Sequence, residues 1–503
     1  MSTEQVDQQD LTTAAALVEK KKLRKHFGRF DIFFFLICTI VGVDTLGAVA
    51  SYGAQGFLWL IFMCLFFFIP YGLFTAELGS AFPEEGGAYI WTRMAFGRKV
   101  AGLNSIFYWF SNPVWIGATL ALLCIQTVAD YFFSFDAGSS WALVIGLVYI
   151  WFSVISAILS LDKGKWIPTV GAFSRIIMIG TFAISTVIYG ARNGLHFPSV
   201  GDWTPTWPAF VALVPLVFYN LVGFEMPSSA GDEMKNPQRD VPFTIMRAMI
   251  TSILLYGLPI LGIVCVVPSD QIQGVSGFLD AVATVFSVYG GAADFMLKLM
   301  AFTFIMALVS SGSSWLMGAD RTEAIASIDG TGPRWLGQFS QRFGTPVNVN
   351  VASGVVSTVV FLIAEKLGDG NTAVAFSVMI GIVLLFTNLS YLVIFPSLVK
   401  LRKSHGSTPR PYKIPGGMAG VWFVSIITTF WSAFASLTGM FPGLLSNGKL
   451  LDDSSLPDGV TRVQYTSYVF IAIGVTLLVG VVFYILGGPV RKQLVTDPEL
   501  VTK

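Results

Sequence analysis

Apolar residues in this chain gather in blocks of about 20, separated by short polar punctuation, and the blocks recur from residue 31 to residue 487. Wound as an α-helix, such a block covers the roughly 30 Å of hydrocarbon in a bilayer. Twelve spans can be marked, at 31–54, 56–82, 100–134, 140–161, 166–190, 207–231, 242–267, 291–318, 346–364, 372–398, 417–443 and 465–487. A β-barrel would need short alternating strands, which this pattern lacks. The expected fold class is therefore all-α and polytopic, with about 12 transmembrane helices.

Charge placement orients the spans. A tail, residues 1–30, precedes them and carries Lys20, Lys21, Lys22, Arg24, Lys25 and Arg29 directly before the first span. Basic residues stay on the cytoplasmic side, so the N-terminus is expected there. Alternate loops must then be basic, and they hold Arg93, Arg98, Lys99, then Lys163, Lys165, then Lys235, Arg239, then Arg321, Arg334, Arg342, then Lys400 to Lys413. The opposite loops hold only Arg192, Lys366, Lys449 and Arg462. An odd number of spans would scramble this alternation, so the C-terminal tail, 488–503, is expected in the cytoplasm as well. The polar first 30 residues do not read as a cleavable signal peptide.

Two spans are poor sequences for an unbroken helix. The first contains Gly42, Asp44 and Gly47 within Ile40-Val41-Gly42-Val43-Asp44-Thr45-Leu46-Gly47, and the sixth contains Gly223-Phe224-Glu225-Met226-Pro227. Proline removes a backbone donor, and glycine weakens a helix interior. Two interrupted spans, five apart, point to an inverted-repeat transporter with its site at the bilayer midplane. Irregular backbone at that depth is tolerated where it lines a cavity. A pair of kinks with no ligand is the alternative.

The sequence resembles the amino acid–polyamine–organocation (APC) permease superfamily over almost the whole membrane region. The stretch from Thr75 through Glu77 to Pro83-Glu84-Glu85-Gly86-Gly87-Ala88-Tyr89 is similar to that family's signature after its second helix. Phe218-Tyr219-Asn220-Leu221-Val222-Gly223-Phe224-Glu225, followed by Gly231-Asp232-Glu233 to Val241-Pro242, resembles its sixth helix and following loop. Gly344-Thr345-Pro346 and Arg410-Pro411-Tyr412-Lys413-Ile414-Pro415-Gly416-Gly417 resemble two further landmarks. The resemblance implies a LeuT-type fold with 31–190 and 207–398 as inverted repeats and 417–487 as two peripheral helices. It also implies alternating access without ATP, and no GxxxxGK[ST] P-loop is seen that would argue for a pump.

The same resemblance directs attention to particular residues. The family's Gly-Ser-Gly, whose free amides receive a substrate carboxylate, corresponds here to Gly42-Val43-Asp44, so a carboxylate replaces the second glycine. A negative charge there would repel an α-carboxylate and attract an ammonium, and Asp44-Thr45-Leu46-Gly47 is similar to a stretch in some bacterial putrescine importers of the superfamily. Alternatively, Asp44 pairs with a protein cation or stays protonated. Glu225, beside carbonyls freed by the second break, is placed to receive an amine or to join a gate. Phe218, Tyr219 and Phe224 are candidates for an aromatic lid, with ordinary packing as the alternative. Glu77 reads as a gating or structural residue that positions the Glu84-Gly87 turn. Ser310, Ser311, Ser313 and Ser314 could ligate an ion or allow close packing. Arg175 falls where the family often has a lysine in place of a sodium ion; arginine keeps its proton, which conflicts with coupling through that cation.

Composition narrows the function classes. The chain is 54% hydrophobic and 12% charged with a net charge of +1, and its mean hydropathy is +0.69. Lipid is the expected main partner, and no basic, aromatic-interleaved stretch suggests nucleic acid. Cys38, Cys64, Cys124 and Cys265 lie in apolar segments, and His26, His196 and His405 share no ligand spacing, so no metal site is expected. An enzyme would need a nucleophile, metal cluster or carboxylate dyad that is not apparent. The expected function is a secondary carrier for an amino acid or organic amine such as a polyamine. No cofactor is expected, and coupling would be to protons or counter-substrate. A zwitterionic amino-acid exchanger with a structural Asp44 and a nutrient sensor on a transporter fold are the alternatives.

Overall fold

The computed structural model describes residues 11–23, 25–136, 138–159, 166–268, 277–367, 372–456 and 459–496. Arg24, Lys163, Lys165 and the outer parts of both tails lie outside the described residues. Among the described residues, ten helices are long and apolar enough to cross a membrane. Of the twelve sequence blocks, the two without such a helix are the first and the sixth, where the chain is broken into short pieces.

The first span consists of helix Arg29–Ile40, an unwound stretch, and the five-residue helix Leu46–Ala50. Gly47 is therefore helical, and the break covers residues 41–45. The sixth span runs as helix Trp207–Asn220 and resumes as the 3₁₀ segment Met226–Glu233. Its break is centred on residues 221–225, earlier than Pro227. Proline, lacking an N–H, opens the 3₁₀ segment rather than interrupting a helix. Gly223 carries the turn at φ +122°, where a side chain would be strained and a Cβ would meet the Thr39 carbonyl oxygen at 3.2 Å.

The third span is continuous from Arg98 to Tyr131 but changes to π-helix over Trp115–Leu120, directly after Pro113. Such a turn rotates the helix face and re-aims the side chains that follow. The eighth span extends much further than its apolar block, as helix Ala293–Ala326. Arg321 is consequently a buried helical residue rather than a loop cation, because Glu233 and Glu85 meet it there.

Small residues set the closest helix crossings. A Cβ on Gly171 of the fifth span would lie 2.1 Å from Ser310 Oγ of the eighth, and one on Gly117 of the third would lie 2.1 Å from the Ser357 carbonyl oxygen of the ninth. On the outside, the twelfth span presents Ile471, Val475, Leu478 and Ile485 to the surroundings. Such a face calls for lipid rather than water.

Two three-residue strands join the chain ends. Leu11–Thr13 pairs antiparallel with Leu494–Thr496, opposing Leu11 to Thr496 and Thr13 to Leu494. Thr13 Oγ1 also donates to the Ile328 carbonyl at 2.5 Å. The N- and C-terminal segments thus share one face of the helical body, called here the terminal face. For a helical body in a membrane, this arrangement requires an even number of crossings.

Candidate functional site

The two broken spans meet at their breaks. Thr45 Oγ1 donates to Asn220 Oδ1 at 2.6 Å, and Thr39 Oγ1 donates to the Gly223 carbonyl at 3.4 Å. Tyr256 of the seventh span bridges the first break: its hydroxyl accepts the Gly42 N–H at 2.9 Å and donates to the Ile40 carbonyl at 2.6 Å. Backbone groups freed by unwinding are thereby satisfied from a neighbouring helix.

Arg175 secures the same break from the other side. Its Nε donates to the Val41 carbonyl at 2.7 Å, Nη1 to the Gly171 carbonyl at 2.9 Å and Ser310 Oγ at 2.7 Å, and Nη2 to the Ala307 carbonyl at 2.8 Å and Ser311 Oγ. A guanidinium has five N–H donors, and each has an acceptor here. All five acceptors are neutral, and among the described residues Arg175 makes no ion pair. Ser310 and Ser311 therefore face a protein cation.

Asp44 is fully enclosed, and among the described residues it too has no ion-pair partner. Trp115 Nε1 donates to its Oδ2 at 3.1 Å. Its other oxygen folds back over Gly42, 2.8 Å from where a Cβ would sit. A substrate carboxylate approaching this break would meet carboxylate oxygen. Trp115 belongs to an aromatic cluster: it lies edge-on to Tyr219 and to Trp315, each at 6.1 Å between centroids, and Trp315 Nε1 is anchored on the Thr39 carbonyl at 2.8 Å. Val43 is buried in the core beside it. A carboxyl group beside the Trp115–Tyr219–Trp315 cluster is an arrangement that suits an ammonium.

The other candidates divide. Tyr219 belongs to this cluster, but Phe218 stacks on Phe67 at 4.2 Å and Phe224 on Phe68 at 4.6 Å, so these two pack into the second span instead of forming a lid with Tyr219. Glu225 holds Tyr108 and Tyr391 by its Oε1, at 2.7 and 2.6 Å, while its buried Oε2 has no hydrogen-bond partner. The carboxyl thus clamps the third and tenth spans to the second break. Tyr71 extends the clamp, accepting the Gly223 N–H at 3.1 Å.

Glu77 does not position the Glu84-Gly87 turn. It accepts Arg402 Nη2 at 2.6 Å and the Ile414 N–H at 2.9 Å, and meets Arg410 Nε at 3.3 Å. Its helix places it against the loop between the tenth and eleventh spans, where two arginines compensate its burial. The Glu84-Gly87 turn is instead seated on the sixth span: Gly86 N–H donates to the Ser229 carbonyl at 3.0 Å, and the Glu85 N–H to Asp232 at 3.3 Å. Arg321 bridges Glu233 at 3.0 Å and Glu85 at 3.4 Å beneath it. Burial, reinforced by Glu233, pushes the Glu85 carboxyl well above the usual carboxylate range.

Several site residues carry no local sequence signal. Tyr108, Trp115, Tyr256, Trp315 and Tyr391 are aromatic residues in apolar helices, in a chain with 14% aromatic residues. Asp320 and Glu323 likewise lack a local signal. Asp320 accepts Trp109 Nε1, Ser353 Oγ and Asn350 Nδ2 at 3.0, 2.7 and 2.5 Å. Glu323 accepts Ser105 and Ser327 hydroxyls at 3.0 and 3.2 Å. Among the described residues, no cluster of His, Cys, Asp and Glu has the makings of a metal site.

Surface cavities among the described residues include one of about 670 Å³ on the terminal face and one of about 370 Å³ on the opposite face, lined by Tyr52, Gln55, His196 and Asp202 among others. Neither is lined by Asp44 or Glu225.

Known proteins share this sequence over most of its length. A probable agmatine/putrescine antiporter of Lactococcus lactis is 28% identical, covering 83% of this chain and 91% of that protein. An uncharacterized transporter of Legionella pneumophila is also 28% identical, over 82% and 89%. A glutamate/gamma-aminobutyrate antiporter of Lactococcus lactis is 22% identical, over 83% of each. The pattern of the amino acid permease family matches residues 27–477, both broken spans included, and the chain belongs to that family within the APC superfamily.

Proposed function

We propose that this chain is a secondary carrier that exchanges organic amines, of the agmatine and putrescine class, across the cell membrane. The observation that carries the reading is Asp44, a buried carboxyl group at the broken first span, hydrogen-bonded by Trp115 of the Trp115–Tyr219–Trp315 cluster and without an ion-pair partner among the described residues. A buried carboxylate without an ion-pair partner is expensive to keep charged, and a substrate ammonium is the partner that removes the cost during transport. The relative named for agmatine and putrescine supports the same substrate class.

In this reading Gly42, Val43, Asp44 and Thr45 with Tyr219 form the substrate contact, and Glu225 with Tyr108 and Tyr391 links it to the third and tenth spans. Arg175 fixes the first break. Residues 31–190 and 207–398 act as the inverted repeats, moving by alternating access with both termini in the cytoplasm. Coupling is to counter-substrate or to protons, with no cofactor.

Proteoliposomes preloaded with putrescine and offered labelled putrescine, agmatine, gamma-aminobutyrate or glutamate test the reading. Exchange is expected for the first two. Asp44→Asn should raise the apparent KM for putrescine about 30-fold or more, the usual consequence of removing one member of a desolvated charge pair. Unchanged putrescine exchange by Asp44→Asn, or exchange confined to zwitterions, would make Asp44 structural and the substrate a conventional amino acid.

A further inference from the structure

Where the first and seventh spans reach the terminal face, the 670 Å³ cavity opens between Lys25, Arg29, Phe30, Lys235 and Arg239. Four cations line it against one carboxylate. That carboxylate, Asp240, is already taken by Arg29, whose Nε and Nη2 lie 2.8 and 2.7 Å from its Oδ1. Among the described residues, the side chains of Lys25, Lys235 and Arg239 have neither an ion pair nor a hydrogen bond.

Backbone bonding forces this convergence. The Phe27 N–H donates to the Glu233 carbonyl at 2.9 Å, and the Lys235 N–H to the Phe27 carbonyl at 3.0 Å, so the base of the first span and the loop after the sixth are stitched together. Like charges held within one cavity repel over distances shorter than the Debye length unless an anion lies among them.

The surroundings are apolar in one direction. Phe30 beside the cavity is 75% exposed. On the seventh span the Arg29 and Arg247 guanidinium groups lie 4.2 and 3.3 Å from the Phe243 ring centroid, one from the cavity side and one from the next helical turn. The same helix face continues as exposed Ile250, Leu254 and Leu258. A ligand that matches cationic cavity and apolar stripe together is amphiphilic, with its anionic end at the level where the spans begin.

We propose that this cavity binds the phosphate headgroup of an anionic membrane lipid, with an acyl chain along Phe30 and the Ile250–Leu254–Leu258 stripe. The headgroup places an anion among Lys25, Lys235 and Arg239 and fastens the base of the first span to the start of the seventh. Because the loop after the sixth span is part of the stitch, the lipid steadies the terminal-face ends of both broken spans.

The test uses delipidated full-length protein in detergent, titrated separately with phosphatidylglycerol, phosphatidylcholine and inorganic phosphate, and followed by native mass spectrometry and thermal unfolding. Phosphatidylglycerol is expected to be retained and to raise Tm, with phosphatidylcholine and phosphate far weaker. Lys235→Gln with Arg239→Gln should weaken phosphatidylglycerol binding about fivefold for each charge removed, or about 30-fold together. The charge-retaining pair Lys235→Arg and Arg239→Lys should keep lipid selectivity, which provides a readout if the glutamine pair folds poorly. Equal retention of the two lipids, binding indifferent to the glutamine pair in folded protein, or an equal Tm shift from inorganic phosphate alone would each overturn the proposal.

Discussion

Removing the Arg175 guanidinium should damage folding without involving Asp44, and a double-mutant cycle measures both halves of that statement. Arg175→Gln replaces five donors directed at Val41, Gly171, Ala307, Ser310 and Ser311 by two. Each hydrogen bond from a charged group contributes about 1.5–3 kcal/mol, so the three lost bonds amount to roughly 5–9 kcal/mol. Against this stands the relief of no longer burying a charge, several kcal/mol even after relaxation. The expected net loss is about 2–4 kcal/mol. Asp44→Asn keeps an acceptor for Trp115 Nε1 and should cost roughly 1 kcal/mol or less. The two side chains share no hydrogen bond and form no ion pair but act on the same break, so a coupling below about 1 kcal/mol is expected. Folded yield and thermal unfolding in detergent, for the two single variants and the double variant, give the cycle. A coupling above about 1 kcal/mol would refute the reasoning and make Asp44 the counter-charge of Arg175.

Three further outcomes are expected. Tyr256→Phe removes the hydroxyl that bridges Ile40 and Gly42, and should lower stability by about 1–3 kcal/mol with loss of exchange; wild-type stability would show that the first break holds itself. Glu77→Gln weakens the seat of Arg402 and Arg410, so limited proteolysis near residues 405–414 should accelerate, and an unchanged cleavage rate would count against this anchoring. Glu85 is raised in the fold, so it favours the folded state at acid pH and loses that contribution as pH climbs from the ordinary carboxylate range through its folded value. Glu85→Gln should therefore flatten the fall of Tm over that interval, whereas a parallel Tm profile would place the titration elsewhere.

Much of the architecture is written locally. An apolar block of about 20 residues needs no partner to declare itself, and the first break is visible because Gly42 and Asp44 stand where a lipid-embedded helix would have neither. The position of the second break was harder to place, since Pro227 is conspicuous but begins a segment, while Gly223 actually carries the turn. The apolar pattern ends the eighth helix too early because Asp320, Arg321 and Glu323 look like loop residues until their partners on other spans are known. Those partners are distant in the chain: Tyr391 meets Glu225 across 166 positions, and Arg402 meets Glu77 across 325. Spacing along one helix cannot report such meetings, and an aromatic residue in a membrane helix looks the same whether it walls a site or faces lipid.

The paired strands at 11–13 and 494–496 bring the described N- and C-terminal segments side by side. Directly opposed residues on antiparallel strands lie about 5 Å apart at Cα, so position 496 is within reach of position 11 through a linker of only a few residues. New ends could then be opened in the 443–456 loop, between the eleventh and twelfth spans, giving a circularly permuted carrier with its termini on the other side of the bilayer. Such a permutant would keep the site intact while separating the two breaks from the old chain ends, and would reveal whether the strand pair matters as a covalent neighbour or only as a clasp.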